Sequence, residues 1–300
     1  IKKSEKRFVK RLLFIKNILM KNILFISLIL ISQVVFAYYG EDGRKDFFEI
    51  SDAQTKKLAE AMLYRVDKHE LRGWTFQRYW KIITKKLEDK GICKNEKFSN
   101  QDTIRLGCSA VLIGKNKVLT GGNCISDHTC RNDLYYWTFG YYKKSKEQNF
   151  SELHKKNFYK CKEIVKRVYN PNSGTSFTIF TLKKDVKDVE PVKISKKELT
   201  KEDELIMMGH PTGLPLKIAD GAFAIDQDEN FFIANSDIRG ETIGTIAFNK
   251  KTKELVGLMI YGTYNYEYSY ENYCKEAAQS EDNQAQELLI KPSMFSEYLD

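Results

Sequence analysis

From Cys93 onward, apolar residues come in short runs that are separated by turn-forming and charged residues. Eight such runs lie at 108–113, 118–119, 135–142, 177–182, 205–208, 231–234, 245–248 and 255–261. Runs of this length are typical of β-strands joined by turns, rather than of amphipathic helices. The pattern predicts an all-β barrel or sandwich for this part of the chain.

The chain ahead of these runs has a mixed pattern. The tetrapeptide Ser-Asp-Ala-Gln at 51–54 has the form of a capping box, in which side chains bond the first amides of a helix. Leu58, Met62 and Val66 follow at intervals of four, which favours a helix, with a strand as the alternative. A second apolar segment at 74–83 fits either a helix or a strand, because its periodicity does not decide.

Residues 1–37 are predicted to contain a secretory signal peptide. A basic start at Met20 precedes an apolar run over 23–36, and Val35 and Ala37 place small residues at the −3 and −1 positions of a cleavage site. The run is shorter than the ~20 residues of a spanning helix, and an uncleaved membrane anchor is the alternative. We therefore expect a secreted or periplasmic protein with no membrane partner after cleavage.

The formal net charge of +9 comes mostly from this leader. Residues 1–37 hold eight Lys/Arg and one acid, which leaves 41 basic and 39 acidic residues and a net charge of +2. A nearly neutral chain gives no electrostatic reason to expect a nucleic-acid partner.

Six cysteines follow the leader: Cys93, Cys108, Cys124, Cys130, Cys161 and Cys274. An even number in an exported chain predicts disulfides, although six cysteines allow fifteen connectivities. No C-x-x-C occurs and the four histidines are scattered, so the sequence predicts no metal site and no cofactor.

Three segments resemble, in order, motifs of the chymotrypsin/trypsin serine protease superfamily, and best its bacterial V8-like branch. The first is Cys108-Ser-Ala-Val-Leu-Ile-Gly-Lys-Asn-Lys-Val-Leu-Thr-Gly-Gly-Asn-Cys124. It resembles C-S-G-x-L-I followed by V-L-T-A-x-H-C, and Asn123 stands at the catalytic His. The resemblance implies a disulfide between Cys108 and Cys124.

The other two segments carry the remaining catalytic positions. Residues 172–182 resemble the strand that begins near the family's catalytic Asp, and Ser176 stands at that Asp. In the third segment Gly244 matches the second glycine of G-N-S-G-S-P, which places Ile243 at the nucleophilic Ser. Glu241 then stands at the glycine whose N–H contributes to the oxyanion hole.

By this resemblance the fold is a chymotrypsin-like double β-barrel with an N-terminal extension at 38–92 and a C-terminal helix. The two barrels are expected at about 93–190 and 191–274. They form a trypsin-like domain over 93–300 whose tail contains the helix.

The substitutions predict a pseudoprotease. Serine-protease chemistry needs a nucleophile, a base and a group that orients the base. Ile243 has no heteroatom and Asn123 does not titrate, while a carboxylate at Glu241 would repel an oxyanion. A non-catalytic protein- or peptide-binding module follows, and a structural domain with a vestigial cleft is a second possibility. An active peptidase with an unusual site is a third, built from Thr242, Thr245, His128 or His210.

Two features bear on binding. Asp237 lies six residues before Ile243, where trypsin-like members have the Asp of the specificity pocket, and Gly262 matches a cleft-wall glycine. The resemblance implies a partner with a Lys or Arg side chain, and a carboxylate bonded to local amides is the alternative. Six tyrosines between Tyr261 and Tyr273 fit either a protein-recognition surface or a plain β-hairpin.

Overall fold

The computed structural model describes residues 42–299 except 75, 106, 171–173, 239–242, 263–265 and 278–286. This part contains helices α1 (Ala53–Glu60) and α2 (Asp127–Arg131). The strands of the first half are β1 (Lys45–Asp46), β2 (Met62–Asp67), β3 (Leu71–Arg72), β4 (Tyr79–Ile82), β5 (Lys85–Lys86), β6 (Asp102–Thr103), β7 (Ser109–Leu112), β8 (Lys117–Thr120), β9 (Tyr135–Thr138), β10 (Glu152–His154), β11 (Phe158–Tyr159), β12 (Cys161–Tyr169) and β13 (Ser176–Leu182). Those of the second half are β14 (Glu204–Gly209), β15 (Lys217–Gln227), β16 (Phe231–Ala234), β17 (Ile246–Asn249), β18 (Leu255–Tyr261), β19 (Tyr266–Ser269), β20 (Cys274–Ala277) and β21 (Glu287–Ile290).

The first large sheet has seven antiparallel strands in the order β11-β9-β2-β7-β8-β13-β12. Thr120 at the end of β8 lies opposite Ala110 on one side and Thr178 on the other. The turn that follows β8 therefore leaves the sheet beside the start of β13. This is the turn that carries Asn123.

The second large sheet closes on itself. Its order is β1-β15-β14-β17-β18-β21-β16, and a further pairing joins β15 to β16, so six strands form a ring with β1 added outside it. A closed six-stranded antiparallel barrel beside a second curled sheet is the chymotrypsin-like double barrel. The predicted fold class is confirmed at this level.

All eight apolar runs coincide with strands, because each supplies side chains that pack into a buried core. Two long strands, β12 and β15, were not among the predicted runs. In β12 buried or half-buried residues alternate with exposed ones, and in β15 Asp220 and Gly221 are exposed within the strand. A search for continuous apolar runs misses strands of this kind.

The predicted helix begins as expected and ends early. α1 starts after Asp52, whose carboxylate accepts a hydrogen bond from Thr55 N, so Asp52 rather than Ser51 is the N-cap. Met62 and Val66 lie in β2 instead of the helix. Their spacing of four satisfies a strand as well, because every second residue of a strand shares a face.

Strand β2 also changes the expected boundaries. It lies between β7 and β9 in the first sheet, although it belongs to the predicted extension at 38–92. Strand β21, which follows residue 274, lies in the ring of the second sheet. The residues of each sheet therefore extend outside the ranges 93–190 and 191–274.

The expected C-terminal helix is wrong in form. The tail has two single 3₁₀ turns, Pro292–Met294 and Ser296–Tyr298. Phe295 between them has a non-helical φ of −137°, and its fully buried ring packs on Phe177. Anchoring that ring in the core interrupts the helix.

Within the described ranges, no helix combines the length and apolarity needed to cross a bilayer.

One apolar cluster joins the two sheets, since it contains Leu112 and Phe180 of the first and Phe248 and Leu258 of the second.

Three disulfides are present: Cys93–Cys274, Cys108–Cys124 and Cys130–Cys161. The Cys108–Cys124 pairing implied by the resemblance is confirmed. The other two pairings could not be chosen from the sequence.

Candidate functional site

Asn123 lies in a turn that is fixed at both ends. Its neighbour Cys124 is bonded to Cys108 beside β7, with the Cα atoms 5.9 Å apart. Cys124 N donates a hydrogen bond of 3.0 Å to Gly121 O. The Asn123 side chain is exposed, so a rigid turn holds this carboxamide at the surface.

Ser176, the first residue of β13, bonds to the same turn. Its hydroxyl accepts a hydrogen bond of 3.1 Å from Gly122 N. A β-carbon on Gly122 would lie 2.1 Å from Val168 O and 2.9 Å from Ser176 Oγ, so only glycine fits there. Arg167 Nε donates to Gly122 O at 2.7 Å. A neutral hydroxyl thus serves as acceptor for the backbone amide beside Asn123.

Ile243 reaches the turn from the segment that precedes β17. Its carbonyl accepts a hydrogen bond of 3.0 Å from Ser109 N. Gly244 has a φ of +92°, and a β-carbon there would lie 2.0 Å from Ser109 O. Both the backbone conformation and the close approach require glycine. This supports Gly244 as the anchor of the motif.

The side chain of Ile243 occupies space that a side chain at Gly121 would need. A β-carbon on Gly121 would lie 2.3 Å from Ile243 Cγ2 and 3.5 Å from Asn123 Oδ1. The family motif has alanine where Gly121 stands. The glycine at 121 and the isoleucine at 243 are therefore sterically matched departures from that motif.

The three positions taken from the motifs thus meet at one turn. Ile243 packs against Gly121, Ser176 bonds Gly122, and Asn123 is the next residue of the chain. Their functional groups are a hydrocarbon, a neutral hydroxyl and a carboxamide, none of which exchanges a proton near neutral pH. Glu241, at the oxyanion-hole position, lies outside the described residues.

The residues considered for an unusual active site are placed differently. Thr245, the residue before β17, is fully buried. His128 is exposed on α2, where its Nδ1 is 3.3 Å from Asn132 Nδ2. Thr242 lies outside the described residues.

His210 forms a buried pair with Ser109 that the sequence did not predict. Ser109 Oγ lies 3.1 Å from His210 Nδ1 and accepts a 3.0 Å hydrogen bond from His210 N. The bond from His210 N uses a lone pair of Oγ, so the hydroxyl hydrogen of Ser109 can still donate to Nδ1. Burial, followed by the charge of Lys217, lowers the pKa of His210 to about 3, so this imidazole is neutral at physiological pH. The pair fastens β7 to the end of β14.

Asp237 contacts the N-terminal segment. Its Oδ2 accepts a hydrogen bond of 2.7 Å from Gly43 N. Gly262 lies immediately after β18. Of the two predicted roles for Asp237, the acceptor of a backbone amide has a contact in the structure. The pocket formed by Asp237 and Gly262 stays a prediction.

The tyrosine-rich segment forms a hairpin of β19 and β20, with Tyr266 opposite Ala277. Tyr266 is buried, whereas Tyr268, Tyr270 and Tyr273 are exposed. Tyr264 lies outside the described residues. The hairpin prediction is confirmed for the described part, and its outer face presents tyrosine rings to solvent.

Among the residues that the structure describes, no group of three or more His, Cys, Asp or Glu side chains is arranged to hold a metal ion.

Comparisons with known proteins give structural matches alone. No protein-family model matches the chain, and no curated protein matches it. The chain is similar to a Glu endopeptidase in complex with MPD, at 13% identity and a TM-score of 0.47, over 87% of this chain and 96% of that one. It is also similar to the VesB protease of Vibrio cholerae, at 11% identity and a TM-score of 0.48, over 86% of this chain and 66% of that one.

At these identities the matches carry no information about activity. The class of the protein rests on its own strand order, which is that of the chymotrypsin-like protease fold.

Proposed function

We propose that this protein is a secreted, non-catalytic chymotrypsin-like domain that binds protein or peptide segments without hydrolysing them. The observation that carries the proposal is the packing of Ile243 Cγ2 against the Gly121 turn beside Asn123. A hydrocarbon at the nucleophile position cannot form an acyl-enzyme, and a carboxamide cannot accept its proton. Loss of a complete triad costs about 10⁶ in turnover, or roughly 8 kcal/mol of barrier.

The placement of His210, His128 and Thr245 favours this proposal over an unusual peptidase. His210 is buried, neutral and bonded to Ser109, so it cannot exchange a proton with a substrate in solvent. Thr245 is buried as well. A general base has to lie within hydrogen-bond reach of its nucleophile, and the described contacts of His128 are with Asn132, the residue that follows α2.

The disulfides bear on the location of the protein, and Asp237 bears on its partner. Three disulfides fit an oxidising compartment, which supports secretion or export to the periplasm. The partner is proposed to be a protein or peptide, with a Lys or Arg side chain received beside Asp237 and Gly262.

A fluorophosphonate probe separates this proposal from an active peptidase. The purified mature protein is expected to remain unlabelled under conditions that label a triad-bearing serine protease completely. The variant Ile243→Ser regains a hydroxyl, yet it is also expected to remain unlabelled, because Asn123 supplies no base.

Labelling of the wild-type protein at a Ser or Thr would overturn the proposal. So would hydrolysis of a peptide panel that disappears in His128→Ala or His210→Ala. His210→Ala is checked for folding by its circular dichroism spectrum, since the residue is buried.

A further inference from the structure

The small sheet of β10, β4 and β3 has one buried face and one solvent face. Leu71, Ile82 and Leu153 point inward into an apolar cluster. Arg72 and Lys81 are paired across β3 and β4 and are exposed. The outer face of this sheet is therefore basic.

The turn between β3 and β4 carries two exposed rings. Trp74 is 71% exposed and Phe76 is 84% exposed. Large aromatic side chains are normally mostly buried, because each ring removes 150–250 Å² from water when it packs. Two neighbouring rings left in solvent mark an interaction surface.

Hydrogen bonds hold the backbone groups of Trp74 and Gln77, so the chain on both sides of the rings is anchored. Trp74 N donates to Gln77 Oε1 at 3.0 Å, and Gln77 N donates to Trp74 O at 3.1 Å. Lys155 Nζ also donates to Trp74 O, and its ammonium lies 4.1 Å from the centre of the Trp80 ring. The bonds tie the turn to the neighbouring segment of the chain.

Positive charge is concentrated in the segment of the chain that carries these rings. Residues 68–86 contain six Lys/Arg and one acid, a net charge of +5. Residues 38–300 as a whole have a net charge of +2, so the rest of that chain is net negative. The one acidic residue opposite this segment in the small sheet is Glu152 on β10, which is the cross-strand neighbour of Lys81. The aromatic turn thus lies within a basic segment, whereas the rest of residues 38–300 is slightly acidic.

We propose that this aromatic-basic surface, defined by Trp74, Phe76, Arg72, Arg78 and Lys81, docks on anionic lipid membranes. Trp and Phe rings partition into the boundary between headgroups and acyl chains, while Lys and Arg attract anionic lipids. A soluble polyanion would need the charges but not the two rings. An apolar groove on a protein would need the rings but not the concentrated charge.

A membrane-docking surface differs from the expectation that the mature chain has no membrane partner. The reason is that the sequence does not reveal the exposure of Trp74 and Phe76, whereas the structure does. The surface also stands apart from the proposed loss of catalysis, since neither ring belongs to the Asn123 turn.

Vesicle binding followed by tryptophan emission tests the proposal. The wild-type protein is expected to co-sediment with vesicles of phosphatidylcholine and phosphatidylglycerol, and not with phosphatidylcholine alone. Raised salt should weaken this binding. The chain has three tryptophans, of which Trp137 is fully buried. A blue shift on binding should vanish in Trp74→Phe, which keeps an apolar ring and is expected to keep binding.

Matched variants locate the surface. Trp74→Ser/Phe76→Ser should weaken binding at least about tenfold through lost apolar burial. Arg72→Gln/Arg78→Gln should weaken it about 30-fold, from two charges near the membrane surface. The control is Tyr270→Ser/Tyr273→Ser, which removes rings of similar exposure, 84% and 81%, from another hairpin and should leave binding unchanged. All of these side chains are exposed, so unfolding midpoints should stay at the wild-type value.

Absence of wild-type binding to the anionic vesicles would overturn the proposal. So would equal binding by Trp74→Ser/Phe76→Ser, or a blue shift that persists in Trp74→Phe. Binding to an acidic protein without binding to vesicles would assign the surface to a protein partner and would likewise overturn it.

Discussion

Replacing Lys217 by methionine is expected to lower the free energy of unfolding by about 3–5 kcal/mol. Lys217 is fully buried at the start of β15, and its Nζ donates to Asp46 Oδ1 at 2.6 Å, to Gln101 Oε1 at 2.9 Å and to Pro215 O at 3.0 Å. Removal of the ammonium leaves the buried Asp46 carboxylate without its opposite charge. For a domain of this size the melting temperature should fall by roughly 10 °C.

The double variant Asp46→Leu/Lys217→Met should recover most of that loss. Burial lowers the pKa of Lys217 to about 8 despite the neighbouring Asp46, so desolvation of the ammonium outweighs its attraction to the carboxylate. A buried pair of this kind is costly to break and inexpensive to replace with apolar side chains. Gln101 is half-exposed and can bond water instead.

Urea denaturation monitored by circular dichroism measures these changes. The control is Lys115→Met, which removes the exposed ion pair between Lys115 and Asp185 and should change stability by less than about 1 kcal/mol. A Lys217→Met variant as stable as this control would contradict the prediction. A double variant less stable than either single variant would do so too.

Removal of the Cys93–Cys274 disulfide is expected to cost roughly 5 kcal/mol, against about 3 kcal/mol for Cys108–Cys124. The difference follows from loop length, because the two bonds close sequence separations of 181 and 16 residues. A longer closed loop removes more conformational freedom from the unfolded chain. Cys93–Cys274 also attaches the tyrosine hairpin to the body of the protein, beside the bond from Cys93 N to Lys275 O.

Paired Cys→Ser variants, unfolded in urea without reductant, give the two costs directly. Hydrogen exchange should in addition show faster exchange in β19 and β20 for Cys93→Ser/Cys274→Ser alone. The prediction fails if Cys108→Ser/Cys124→Ser is the less stable of the two variants.

The strands whose faces are apolar could be predicted, and those with polar faces could not. The run at 255–261 coincides with β18, since six of its seven residues are buried. Strand β12 was missed because exposed charged residues, Lys162, Glu163 and Arg167, interrupt the residues that pack inward. Strand β2 was read as part of a helix because the spacing of Met62 and Val66 satisfies both periods.

Much of the candidate site could be located from motifs, and its packing could not. The resemblance to the family motifs identified Asn123, Ser176 and Ile243, which the fold brings to one turn. The contact of Ile243 with Gly121 could not be foreseen, because it joins residues more than a hundred positions apart. The Ser109–His210 pair could not be predicted for the same reason, since no local sequence pattern signals a contact between distant segments.

Whether a bound peptide stays intact distinguishes binding without hydrolysis from residual peptidase activity. Arg-containing peptides are titrated against the mature protein by fluorescence anisotropy, and the same mixtures are then examined by mass spectrometry after prolonged incubation. We expect saturable binding, weakened in Asp237→Ala, with every peptide recovered at full length. Cleavage products that accumulate with time and with protein concentration would show that hydrolysis survives without a His-Asp-Ser triad. Absence of binding would contradict the proposed peptide-binding role.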